Sequence, residues 1–66
     1  MKSYSSREVI KALKRDGWFF VASEGSHHHF KHPIKKGKVT VPHPRRHIPV
    51  NTMKNIEQQS GVVFPD

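Results

Sequence analysis

Chain breakers set the scale of every element this sequence can form. Glycines at 17, 25, 37 and 61 and prolines at 33, 42, 44 and 49 cut the 66 residues into short pieces. Each piece has room for one helix or one strand. Such pieces can make only a small domain with a single core, near the size limit for folding without staples. There is no cysteine, so disulfides and thiolate metal sites are excluded and a reducing compartment is compatible.

The first piece reads as a helix over Ser6 to Asp16. Ser5 and Glu8 have the spacing of a capping box, in which each side chain satisfies a backbone N–H of the other. Val9, Ile10 and Leu13 form one apolar stripe among Lys11, Lys14 and Arg15, and Gly17 ends the helix. Trp18 to Ala22 is aromatic and β-branched, hence a strand. Because both its faces are apolar, it is expected to be central or well covered, with at least two of Trp18, Phe19 and Phe20 in the core. Glu24-Gly25 suits a hairpin turn. Ser26 to His32 is the return strand, Pro33 to Gly37 a polar loop, and Lys38 to Val41 a third strand halted by Pro42. Three prolines stiffen the connection from Pro42 to Pro49. Asn51 or Thr52 would cap a last helix with Met53, Ile56 and Gln59 facing inward, ended by Gly61. Helix, three antiparallel strands and helix make an α+β fold of two layers, with both helices on one sheet face.

Charge narrows the function. Twelve Lys and Arg stand against five Asp and Glu, a net charge of +7. No acidic residue lies between Gly25 and Ile56, a stretch that holds Lys31, Lys35, Lys36, Lys38, Arg45 and Arg46. A solvated face would mix both signs; a surface of one sign fits a polyanion, with nucleic acid ahead of an anionic membrane. No apolar run reaches the ~20 residues of a membrane span, and the first residues lack a signal-peptide pattern. A cytoplasmic protein with no membrane contact is expected.

Four of the six histidines fall between His27 and His32. Strand alternation turns Phe30 to the core, with His28 and His32 on its side. His27, His29 and Lys31 then share the open face with Lys38 and Thr40. Imidazole beside cations suits RNA cleavage, since histidine can give or take a proton near neutrality. His27 and His29 also invite a metal reading, but no third acidic or cysteine ligand is near, so no cofactor is expected and nickel or zinc would bind adventitiously. His32 and His43, beside prolines at strand ends, read as structural. Ser26 lacks the partners of a nucleophile and reads as a hydrogen-bonding turn residue.

Taken together, Ser6-Arg7-Glu8-Val9-Ile10, Asp16-Gly17-Trp18, Gly25-Ser26-His27, Phe30-Lys31-His32-Pro33, Val39-Thr40-Val41-Pro42-His43-Pro44 and Ile48-Pro49 resemble the HicA family of bacterial toxins. The resemblance implies a fold like the double-stranded-RNA-binding domain and an mRNA-cleaving endoribonuclease. It also implies a HicB-type antitoxin that occludes the active site. The family's catalytic histidine maps onto His27. His29 or His28 is then a helper, with Gly25, Ser26, Lys31, Lys38, Thr40, Arg45 and Arg46 as candidate RNA contacts. Arg45 and Arg46 could equally grip an acidic antitoxin segment. His47 and Asn51 depart from the family pattern, which often has an acidic residue and glycine there. A non-catalytic RNA-binding module of the same fold is the alternative; a DNA-binding regulator is weaker, for want of a helix-turn-helix pattern.

Overall fold

The computed structural model describes residues 3–65 and has the expected order of elements. Helix α1 spans Ser6–Asp16, strands β1, β2 and β3 span Phe19–Glu24, His27–Lys31 and Val39–Pro42, and helix α2 spans Val50–Ser60. The strands form one antiparallel sheet in the order β1-β2-β3, and both helices pack against β3. The fold is α+β in two layers, as expected for a double-stranded-RNA-binding-domain-like chain.

Local chemistry accounts for the helices. The Ser5 hydroxyl accepts from the Glu8 N–H, and the Glu8 carboxylate accepts from the Ser5 N–H, so the capping box is closed at both ends. At the other end Gly17 adopts φ 109 and its N–H returns to the carbonyls of the last turn. Val9 and Leu13 are fully buried, and Ile10 packs at the margin. In α2 the inward stripe is Met53, Ile56 and Ser60, a spacing of three and four; Gln59, expected to face inward, is exposed one step away. Neither Asn51 nor Thr52 caps this helix. The cap is Pro49, whose carbonyl accepts the Met53 N–H at 2.9 Å. Proline suits the start of a helix because its fixed φ is already right and no donor is lost there.

The strands depart more from expectation. The hairpin turn is Gly25-Ser26, one residue later than read, and β1 runs on to Glu24. Strand β1 is an edge strand with all six residues exposed. Of the three aromatics only Trp18 enters the core, at 2% exposure; Phe19 and Phe20 are 48% and 49% exposed. The helices reach β2 and β3 but leave β1 largely bare. A bulge between Phe20 and Ala22 leaves Val21 unpaired. Because the bulge is in β1, alternation along β2 is undisturbed.

Three elements meet where α1 ends. The Asp16 carboxylate accepts from Lys35 Nζ at 2.6 Å and from the Trp18 indole at 3.2 Å, while Lys35 also reaches the Ser60 carbonyl at the end of α2. His32 completes the junction. Its Nδ1 accepts the backbone N–H groups of Ile34 and Lys35, which fixes the proton on Nε2, and Nε2–H donates to the Asp16 carbonyl at 2.8 Å. Both ring nitrogens are occupied, so His32 is structural, as read from the sequence.

The junction makes two demands, one steric and one electrostatic. A Cβ at Gly17 would lie 2.7 Å from His32 Nε2, on a backbone of positive φ. Gly17→Ala should therefore cost about 2 kcal/mol, since a left-handed backbone alone is worth roughly 1–2 kcal/mol. In a domain of this size that lowers the thermal midpoint by roughly 10 °C, measurable by calorimetry. The second concerns acid. The Lys35 hydrogen bond, aided by the charge of Lys35, by the Trp18 indole and by His32, holds the Asp16 carboxyl below its ordinary value of 3.8 against some desolvation. A group depressed in the folded state stabilises above its unfolded pKa and ceases to do so as pH falls through the folded one. Thermal midpoints of wild type should thus fall more steeply than those of Asp16→Asn below about pH 4.

Candidate active site

Strand β2 distributes its histidines over two faces. Phe30 is buried beneath the helices, so His28 shares the helix side, and His27, His29 and Lys31 lie on the open side. Register carries the open face across the sheet. Glu24, His27 and Pro42 stand in one row, Ala22, His29 and Thr40 in the next, and Phe19 pairs with Lys31 beyond them.

Within that face the two imidazoles differ. His29 has both nitrogens engaged: Nε2–H donates to the Glu24 carboxylate at 2.9 Å and Nδ1 meets the Thr40 hydroxyl at 2.9 Å. A carboxylate only accepts, so the proton on Nε2 is fixed, and in the neutral ring Thr40 must donate to Nδ1. Its side chain is 12% exposed. His29 is a brace between β1 and β3, and Thr40 is committed to it. His27 is exposed, and its imidazole makes no hydrogen bond among the described residues. Lys31 is exposed on the same face; Lys38 precedes β3, where strand alternation does not govern its direction, and is exposed too.

The helix side holds a second imidazole group. His28 lies edge-on to His43, ring centres 4.9 Å apart, and 5.4 Å from the Phe20 ring. His43 is anchored by Ser6, a side chain buried at the start of α1. Ser6 Oγ meets three groups: the Arg45 N–H at 2.9 Å, the Arg45 carbonyl at 3.2 Å and His43 Nδ1 at 2.6 Å. One hydroxyl proton can serve all three only if it goes to the Arg45 carbonyl while His43 Nδ1–H donates to Oγ. That arrangement leaves His43 Nε2 as an acceptor. The ring lines two depressions. One, of about 500 Å³, is walled by Arg7, Arg45, Arg46 and Pro44; the other, of about 350 Å³, by Ile10, Lys14, Phe20, His28 and Phe30.

The sequence-derived residues are thus only partly brought together. Gly25 and Ser26 form the exposed turn before His27, and the Ser26 carbonyl accepts the His43 N–H at 2.7 Å. Arg45 and Arg46 lie by His43 rather than on the open face. His28 is on the opposite side from His27. Read as structural from its neighbouring prolines, His43 does have a structural bond, and it also faces the arginine cleft with Arg7. Nothing in the sequence marks Ser6 as its partner 37 residues away. His47 bonds Ser3 at 2.7 Å, and Asn51 sits exposed in the first turn of α2. Among the described residues no three His, Cys, Asp or Glu side chains converge as metal ligands, and no helix is long and apolar enough to cross a membrane.

Comparison with known proteins agrees with this arrangement of motifs. No curated protein matches the chain. A family model described as the HicA toxin of bacterial toxin–antitoxin systems matches residues 6–62, which include α1, the whole sheet and α2. The chain belongs to the HicA toxin family.

Proposed function

We propose that this protein is an endoribonuclease that cuts mRNA, arrests translation and growth, and is held silent by a HicB-type antitoxin covering the His27 face. The observation that carries the reading is the state of His27. It is an exposed imidazole with no hydrogen bond among the described residues, on the sheet face that also bears Lys31. A proton-transfer group needs a solvent-reachable ring nitrogen that no protein partner occupies, and both nitrogens of His27 meet that requirement.

RNA can cleave itself once its 2′-hydroxyl is deprotonated. The 2′-oxygen then attacks phosphorus, the bond to the 5′-oxygen breaks, and that oxygen takes a proton. His27 serves as the principal acid–base group, while Lys31 and Lys38 offset the charge that builds on the phosphorane. The product ends are a 2′,3′-cyclic phosphate and a 5′-hydroxyl. His29 is a poor helper, because its nitrogens already hold Glu24 and Thr40. No resident cofactor is needed for this chemistry, and the compartment is the cytoplasm, where mRNA is met.

The His28–His43 pair favours a second reading of the same activity. Two imidazoles in contact, one presenting an acceptor nitrogen, could divide the acid and base roles on the helix side.

Purified wild type, His27→Ala and His43→Ala incubated with a defined RNA in EDTA separate these readings. Loss of one general acid–base group should slow cleavage about 10²- to 10⁴-fold. We expect that loss in His27→Ala, cyclic-phosphate ends from wild type, and no cutting of an all-deoxy substrate. Loss confined to His43→Ala would move the chemistry to the helix side. RNA binding without cleavage by any form would leave an RNA-binding module. Cutting of the all-deoxy strand would exclude attack by the 2′-hydroxyl altogether.

A further inference from the structure

Phe19 is a large aromatic ring, 48% exposed, on the open face of the sheet. Its orientation follows from the register. Phe19 pairs with Lys31, and Lys31 alternates with the buried Phe30, so Phe19 and Lys31 both point away from the helices. The neighbouring aromatics do not share this position. Trp18 is in the core, and Phe20 lies on the helix side, its ring 6.0 Å from Phe30 and 5.4 Å from His28. One aromatic therefore stands on the open face, next to a cation, in the same face as His27.

Exposure alone would say little about such a ring; its place beside Lys31, on the face that carries His27, is what gives it a role. The surroundings say which. With a net charge of +7 and no acid from Gly25 to Ile56, the strand beside Phe19 is suited to phosphates. An aromatic ring beside a lysine on an open sheet is an arrangement that can receive an unstacked base. Building on the ribonuclease reading, we propose that Phe19 is the stacking platform for one base of single-stranded RNA, with Lys31 against the adjoining phosphate. Four residues at about 3.3 Å each separate Lys31 from His27, so the stacked base lies about 13 Å along the strand from the candidate catalytic imidazole. That is a few nucleotides from the scissile bond. The platform sets which strand register reaches His27, and it selects single-stranded over duplex RNA, because a paired base cannot offer its face.

The test uses the whole chain with Phe19→Leu, Phe19→Tyr and Phe19→Trp, read by anisotropy of a labelled single-stranded RNA, by binding of the same sequence as a duplex, and by cleavage kinetics. Leucine keeps the apolar contact and removes the π-face. Phe19→Leu should bind the single strand about tenfold more weakly, the usual worth of one stacked base. The loss should fall on KM rather than kcat, with duplex binding little changed. Tyrosine and tryptophan should stay within about threefold of wild type, and the introduced indole should be quenched by RNA. Should Phe19→Leu fail to fold, quenching in Phe19→Trp decides. Equal binding by Leu and Phe forms, or equal losses in all three variants, would overturn the proposal while leaving the ribonuclease standing. So would a Phe19→Leu defect confined to antitoxin binding, which would assign the ring to a protein contact. If wild type neither binds nor cuts RNA, the ribonuclease reading itself falls and this inference with it.

Discussion

Two helices of eleven residues, each about 16 Å long, are all this chain has to cover its sheet. They are packed over β3 and the adjoining half of β2, where Phe30, Val39 and Val41 are sealed from water. Everything else about the surface follows from that shortage. One sheet face stays bare, the far strand is left at the edge, and residues that a larger domain would bury are presented to solvent. A chain of 66 residues cannot bury both faces of a three-stranded sheet and still keep a charged exterior. The bare face is thus a product of size, and it is the face where His27 stands.

The six histidines illustrate how one residue type is divided between building and chemistry. His32 spends both ring nitrogens at the junction of α1, β2 and α2, and His29 spends both in bracing β1 to β3. His43 and His47 each spend one, on Ser6 and Ser3. The imidazoles of His27 and His28 hold no hydrogen bond among the described residues, and the strand directs them to opposite sides. Counting histidines along the chain overstates the available acid–base groups; counting their uncommitted nitrogens does not.

Local signals were the legible ones. The limits of α1 could be read in advance because Ser5, Glu8 and Gly17 act within a few residues of themselves. Phe30 could be assigned inward because alternation needs only its own strand. The larger departures involve partners distant in sequence. Whether Trp18, Phe19 and Phe20 are buried depends on which strands the helices reach, and a run of apolar residues looks the same at an edge as at the centre. Thr40 stands on the open face as alternation implies, but its bond to His29 could not be read from β3 alone. Ser6 was one more residue of a helix start, with no local sign that its hydroxyl organises the loop from His43 to Arg45. At α2 the local signals compete: Asn51 and Thr52 carry side-chain acceptors, yet the helix starts from Pro49, whose fixed φ needs none.

The bulge at Val21 has a consequence for the molecule among its own copies. An edge strand with Phe19, Phe20 and Val21 exposed presents unpaired N–H and C=O groups in a sticky setting, a template on which another chain could extend the sheet. An extra residue midway breaks the regular spacing of those groups and twists the strand, so that no straight partner can pair along its whole length. The bulge thus works against sheet extension at the one edge where apolar side chains lie exposed.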